Sequence, residues 1–289
     1  MLPFFRLLSV FPLAVLQGLG AALGWFVFLV SPVWRRRFLD NAAQAGYGFR
    51  AVRPAVAHIG RMVGELPRLW LGRPVPVRWD GGELLDEAYA AGRGLLLLTP
   101  HLGCFEIAAL AIAERHSAAH GPLTVLYRPA RKPWLAPLVA ASRDRPGVEP
   151  APTTLAGVRQ MIKALRQGRA VGLLPDQVPP EGMGTWAPFF GRPAYTMTLA
   201  ARLAQQTGCE VRLVWGERLP WGRGFVLHCR ELRTPLPAAL DEAVARMNEE
   251  MERLIRECPQ QYLWSYARYK PPREPAAAAV PAASQESAR

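Results

Sequence analysis

The chain has 289 residues, half of them hydrophobic, enough for one generous domain or two small ones and unlike a disordered composition. Its formal net charge is +12, carried almost wholly by arginine, which suits an anionic partner such as lipid headgroups, an acidic carrier protein or nucleic acid. Nucleic acid is set aside: the sequence has no zinc-finger spacing, basic heptad region or aromatic–glycine RNA-binding signature, and its charges are scattered among Trp, Pro and Leu.

Residues 7–34 contain no charged side chain. As a helix this run would reach about 42 Å, beyond a ~30 Å hydrocarbon core, and 13–30 alone is long enough to span. It is too long for a signal peptide, and it continues from Ala21-Ala22 into Trp25, Phe26 and Phe28 instead of a polar mature start. Residues 1–37 are therefore expected to be an uncleaved membrane anchor, spanning or deeply embedded. Arg35, Arg36 and Arg37 end it and place the remainder of the chain on the cytoplasmic side of the inner membrane. Gly20 and Gly24 form a lone GxxxG, by itself a weak signal for helix pairing.

Residues 38–73 read as helix, with apolar spacing through Val52, Val56, Ile59, Val63 and Leu66. The texture then changes. Residues 94–99 form a short, wholly apolar run, as in a strand buried on both faces. Helix 105–115, strand 123–127, helix 154–167, strand 170–174 and helix 196–207 come next, then strands 210–217 and 225–231 and an amphipathic helix over 240–258. This alternation predicts an α/β domain over 38–270, its mostly parallel sheet flanked by helices. Residues 271–289, rich in Pro and Ala, read as a disordered tail.

Ligands of such sheets sit beyond the carboxyl ends of strands. Three predicted strand ends carry polar residues: His101, Arg128 and Asp176. The sharpest local feature is the HxxxxE run from His101 to Glu106. On one ideal helix these side chains would point about 140° apart, so they meet only if His101 sits in the strand-to-helix turn, with Gly103 supplying the turn. A carboxylate on one imidazole nitrogen fixes the tautomer and leaves the other to take a proton. Alternative chemistries lack their signatures. There is no GxSxG elbow, no HExxH or other zinc spacing and no phosphate loop, so neither metal nor cofactor is expected. The cysteines, Cys104, Cys209, Cys229 and Cys258, are widely spaced and read as reduced thiols.

The HxxxxE box resembles that of the bacterial lipid acyltransferase superfamily, and the chain is similar in particular to the late acyltransferases of lipid A biosynthesis, the lauroyl and myristoyl transferases. Further blocks stand in the matching order: Tyr127-Arg128-Pro129; Leu174-Pro175-Asp176-Gln177; Pro188-Phe189-Phe190-Gly191 with Thr196 and Thr198; and Gln261-Tyr262-Leu263-Trp264 running to Arg268 and Lys270. Arg35–Arg37 with Asn41, and Gly64-Glu65, match as well. The chain departs from the pattern at Ala130, where many members carry Asn, which bears on donor and acceptor more than on the reaction. The resemblance implies a glycerolipid acyltransferase-like fold and transfer of a fatty acyl group from acyl carrier protein to a hydroxyl of a lipid A precursor. His101 would be the general base and Glu106 its partner. Arg128 would hold the oxyanion or a substrate phosphate, Asp176 would orient Arg128 or the substrate, and Tyr127, Phe189 and Phe190 would contact substrate, the two phenylalanines by lining an acyl pocket. The alternatives are the same chemistry on a lysophospholipid or glycolipid, with acyl-CoA or acyl carrier protein as donor, and a non-enzymatic membrane scaffold. The intact His101, Glu106, Arg128 and Asp176 count against the scaffold.

Overall fold

A computed structural model describes residues 2–127 and 146–274. The N-terminal part is helical: α1 (Leu2–Ser9), α2 (Leu13–Val30), α3 (Pro32–Gln44), α4 (Phe49–Gly64) and α5 (Leu66–Leu71). The region expected to be helical, 38–73, is thus divided among three helices, and α3 runs across residue 37. The breaks have local causes: Gly46 adopts a positive φ of 85°, and Pro67 starts α5. Ser31 caps α3, its side chain accepting from the Trp34 N–H, with Pro32 in the first turn.

The α/β part comprises β1 (Val77–Asp80), α6 (Gly82–Ala90), β2 (Leu95–Leu98), α7 (Phe105–His120), β3 (Leu123–Tyr127), β4 (Val148–Pro152), α8 (Leu155–Arg166), β5 (Ala170–Leu173), β6 (Gly184–Phe189), β7 (Arg192–Met197), α9 (Leu199–Thr207), β8 (Glu210–Arg218), β9 (Phe225–Glu231) and α10 (Leu240–Glu257). Seven strands form the main sheet in the order β1-β9-β8-β2-β5-β3-β4. Strands β8, β2, β5, β3 and β4 run parallel, whereas β9 reverses against β8 and carries β1 with it. The all-leucine β2 is buried along its whole length because both faces are covered. Leu96 and Leu98 face a large cluster with α4, α8, α9 and α10; Leu95 and Leu97 face a smaller one with α6 and α7.

The hairpin of β6 and β7 departs from the sequence-based expectation of a helix starting at Thr196. Thr196 is in β7, and α9 starts at Leu199. The turn of the hairpin is Phe190-Gly191, both at positive φ (46° and 74°). A phenylalanine there is unfavourable, and it is held from outside: its N–H donates to Glu252 at 2.6 Å, its carbonyl accepts from Gln44 at 2.8 Å, and the Arg256 guanidinium covers its ring.

Helix α2 does not stand apart from the domain. Leu16, Gln17, Gly20, Gly24 and Phe28 form a buried face applied to α4, and Leu13 packs with Leu69, Ile107 and Phe225. Gly20 and Gly24 meet Gly60 and Gly64, and the backbones come so close that a Cβ on Gly60 would sit 1.9 Å from the Gly20 carbonyl oxygen. This approach needs glycine on both helices. Replacing Gly60 with Ala should therefore lower stability by about 1–3 kcal/mol through forced separation of the helices. Gly18→Ala, which meets nothing within 4 Å, should leave the unfolding temperature unchanged or slightly higher. Thermal unfolding of the two detergent-solubilised variants checks this; equal effects would show that the contact is not tight.

Candidate active site

Strands β2 and β5 pair in parallel with Leu98 opposite Leu173, and the Thr99 N–H extends the ladder to the Leu173 carbonyl at 3.1 Å. His101 and Asp176 each lie three residues beyond this pair, so they emerge side by side at the carboxyl ends of the two central strands. The turn after β2 is fixed on two sides. Cys104 N–H donates to the Gly216 carbonyl at 2.7 Å, Gly103 N–H to Gln261 at 3.0 Å, and the His101 carbonyl accepts from Leu263 at 3.1 Å. Gly103 is at φ 59°, where a Cβ would sit 2.0 Å from the Gly216 oxygen, so the turn freedom expected of it is required.

His101 Nδ1 lies 2.7 Å from Asp176 Oδ1, and the His101 backbone N–H donates to Oδ2 at 2.8 Å. The Tyr262 hydroxyl also donates to Oδ2, at 3.3 Å. Asp176 is buried. Burial by itself would push its carboxyl up, but His101, through its charge and its two hydrogen bonds, and then Arg268 outweigh that and hold it below the usual carboxylate range. An ionised carboxylate only accepts, so the ring proton is on Nδ1. The lone pair of Nε2 is then left for an outside donor, and it accepts from the Gln177 amide at 3.0 Å. The same amide, turned over, offers its oxygen to a protonated ring. The imidazole is thus in the tautomer of a general base, braced by Phe105 edge-on at 5.0 Å between ring centroids.

The HxxxxE spacing assigns Glu106 to this ring, but the carboxylate that meets it is Asp176, distant in sequence. Glu106 stands in the first turn of α7, where its charge suits the helix dipole, and its Oε2 accepts from Trp70 Nε1 at 3.1 Å. Tyr127 is half-buried at the end of β3, and Arg128 lies outside the described residues. Phe189 and Phe190 are buried on the opposite side of the sheet from α7, among Trp264, Tyr269 and the guanidinium of Arg268, in a place that packs the hairpin. Arg268 itself donates to the Tyr195 carbonyl at 2.8 Å and to Thr196 Oγ1 at 2.6 Å, and Asn41 donates to the carbonyls of Trp264 and Tyr266. These motif residues hold the C-terminal segment against the site. Gln177, Tyr262 and Trp70 were given no role by sequence. Gln177 and Tyr262 stand inside the motif blocks; nothing in the sequence marks Trp70.

A family model described as "Bacterial lipid A biosynthesis acyltransferase" matches residues 2–271. The chain is 29% identical over 219 residues to the lipid A biosynthesis lauroyltransferase of Escherichia coli, covering 73% of this chain and 68% of that protein. It is 26% identical over 195 residues to the lipid A biosynthesis palmitoleoyltransferase of the same organism, covering 66% of this chain and 60% of that protein. A lipid A biosynthesis acyltransferase of Haemophilus influenzae is 22% identical over 190 residues, 56% of its length.

The His101–Asp176 pairing has a consequence that can be read without turnover. With its folded pKa below the ordinary value of 3.8, Asp176 contributes stability that is complete above that value and is lost as pH falls through the lower folded one. Asp176→Asn should remove this component, giving a shallower loss of stability with acid below about pH 4 than the wild type shows. Chemical unfolding at a series of acidic pH values measures it; parallel curves would mean that the carboxylate is not ionised and paired as the geometry indicates.

Proposed function

The chain belongs to the bacterial lipid A biosynthesis acyltransferase family, and from that premise we propose that it transfers a fatty acyl group to a hydroxyl of a lipid A precursor, with acyl carrier protein as donor. The observation that carries this reading is the ordered imidazole: Asp176 on Nδ1, and an Nε2 lone pair that, among the described residues, meets the exchangeable amide of Gln177. In the proposed step, Nε2 takes the proton of the acceptor hydroxyl as its oxygen attacks the thioester carbonyl. The tetrahedral oxyanion collapses, the C–S bond breaks, and the leaving thiolate takes the proton back from Nε2. Arg128, next after β3 in sequence, is assigned the oxyanion, a task that fits a planar, always charged group. Glu106, fixed by Trp70, is assigned a second, positioning charge beside the substrate. The basic surface favours the acidic carrier protein, with an on-rate that falls as salt rises.

Replacing the base should cost about 10²–10⁴-fold in turnover with the protein still folded. We expect His101→Ala to fall in that range, and Asp176→Asn to lower turnover more than Glu106→Gln, since it is Asp176 that holds the tautomer. Initial rates with acyl carrier protein and acyl-CoA donors, and with lipid A precursor and lysophospholipid acceptors, give the test. More than about a tenth of wild-type turnover in His101→Ala would overturn the mechanism. A salt-insensitive preference for CoA and lysophospholipid would move the assignment to general glycerolipid acylation.

The N-terminal helices are the proposed attachment to the cytoplasmic face of the inner membrane. Helix α2 is long and apolar enough to cross a bilayer, and a third of it is buried in the protein. Its outer face exposes Val15, Leu19, Leu23, Phe26, Leu29 and Val30. Phe4, Leu7 and Phe11 extend that apolar surface, as does Trp221, 89% exposed in the loop whose Gly222 touches Ala14 at the start of α2. Crossing the membrane would drag α4, with its exposed Arg50 and Arg53, into hydrocarbon at about 2.5–3.5 kcal/mol for each arginine. Lying in the interface, with only the outer face inserted, avoids that cost and leaves Arg36 and Arg37 exposed to anionic headgroups. The combined substitution Leu19→Glu, Leu23→Glu and Phe26→Glu should then release folded protein into the soluble fraction. Full retention on carbonate-washed membranes would show that the attachment lies elsewhere.

A further inference from the structure

An apolar slot runs from the site into the protein between α7 and the sheet. Thr99, Phe105 and Glu106 line its end nearest His101, and Phe105 is the residue whose ring braces His101. Inside, Ala108 and Ile112 of α7 face Leu97 of β2, Val125 of β3 and Val214 of β8. Gly172 of β5 lines it on the sheet side.

Gly172 needs explaining. It occupies the third position of a four-residue central strand, where glycine weakens the sheet and supplies no packing surface. Its backbone does not require it, since its φ is not among the positive values. Nor does space: a Cβ there would rest 3.5 Å from Val125 Cγ1 and 3.9 Å from Leu123 Cδ1, ordinary contacts. Its neighbour along the strand on the same face, Ala170, is also small, whereas Val171 and Leu173 on the other face fill their core completely. What the missing side chain leaves is depth in the slot. Glycine inside a strand often marks the close approach of a ligand.

We propose that this slot holds the hydrocarbon tail of the acyl donor and that Gly172 sets how long a tail it accepts. The assignment rests on the proposed acyl transfer and takes the acyl-binding role away from Phe189 and Phe190, which lie across the sheet. It places the tail along α7, with the carboxyl end beside His101 and the terminal methyl group toward the sheet.

Each methylene buried is worth about fourfold in affinity, and one forced against a filled wall costs about fivefold or more. Gly172→Ala and Gly172→Val form a graded series. Thermal unfolding should show that Gly172→Ala is as stable as the wild type or more so. With saturated acyl carrier protein donors of roughly ten to sixteen carbons, kcat/KM for the best wild-type donor should fall about tenfold or more in Gly172→Ala and further in Gly172→Val. Donors two to four carbons shorter should stay within about threefold of the wild type. Displacement of a fluorescent fatty acid by saturated fatty acids of the same lengths gives a second profile that needs no turnover. A matching shift in both profiles supports the slot. Shifted binding without acyl transfer by the wild type keeps the slot and overturns the acyl-transfer reading. Unchanged profiles in a stable Gly172→Ala protein overturn the slot, whether or not the wild type is active.

Discussion

The site depends on one register, that of β2 against β5. Leu98 stands opposite Leu173, and the residues three positions further on are the base and the carboxylate that orients it. A slip of one residue in β5 would displace Asp176 by about 3.3 Å along the strand and turn its side chains to the opposite faces. The residues of β5 oppose this slip, because Val171 and Leu173 fill the larger cluster while the small Ala170 and Gly172 lie on the α7 side. The hydrophobic core and the catalytic geometry are therefore set by the same pairing. No separate device is needed to bring the two side chains together, only one to hold the turn after β2.

The sequence shows clearly whatever is periodic or local. The leucine run of β2, the amphipathic α10 and the strand-to-helix turn at Gly103 are each specified by neighbours a few residues apart, and the structure has all three close to where the pattern puts them. What the pattern misplaces is long-range or locally unfavourable. Glu106 is the nearest carboxylate to His101 along the chain, whereas Asp176 becomes the nearest only through strand order, which HxxxxE spacing does not contain. The β6–β7 hairpin is hidden because its turn puts Phe190 where hairpin chemistry favours Asn, Asp or Gly. That choice is tolerable only with Glu252, Gln44 and Arg256 in place, and they come from elements distant in sequence. Gly20 and Gly24 look like an isolated motif for the same reason: their partners, Gly60 and Gly64, are on another helix.

Several residues of the blocks that carry the resemblance brace the site. Arg268 ties β7 to the C-terminal segment, Asn41 ties α3 to the same segment, and Gln261 and Leu263 hold the His101 turn. A resemblance reports that residues occur together, which is as true of a brace as of a catalyst. Distances separate the two. Among the described residues, Asp176, Gln177 and Phe105 meet the imidazole of His101 itself, while Gln261 and Leu263 hold it through backbone.

The bracing also explains why helices with apolar outer faces are built into this domain. Helix α2 contributes Gln17, which donates to Glu65 at 3.3 Å. Glu65 takes a forked pair of bonds from Arg218, and both are fully buried. Burial alone would make Arg218 a weaker base, but Glu65 more than compensates, so the guanidinium keeps its proton and the pair stays charged. A buried ion pair of this kind is weak evidence for added stability, and its value here is directional. The backbone of Arg218 exchanges two hydrogen bonds with the side chain of Gln261, whose carbonyl accepts from Gly103 two residues after the base. A second path starts on α1, where Phe5 stacks on Trp70, and Trp70 holds Glu106. The two routes run from the apolar N-terminal helices to Gly103 and to Glu106 of the HxxxxE box. The surface proposed to meet the lipid and the groups proposed to acylate it are thus parts of one frame of hydrogen bonds and ring packing, which fixes the height of the base relative to that surface.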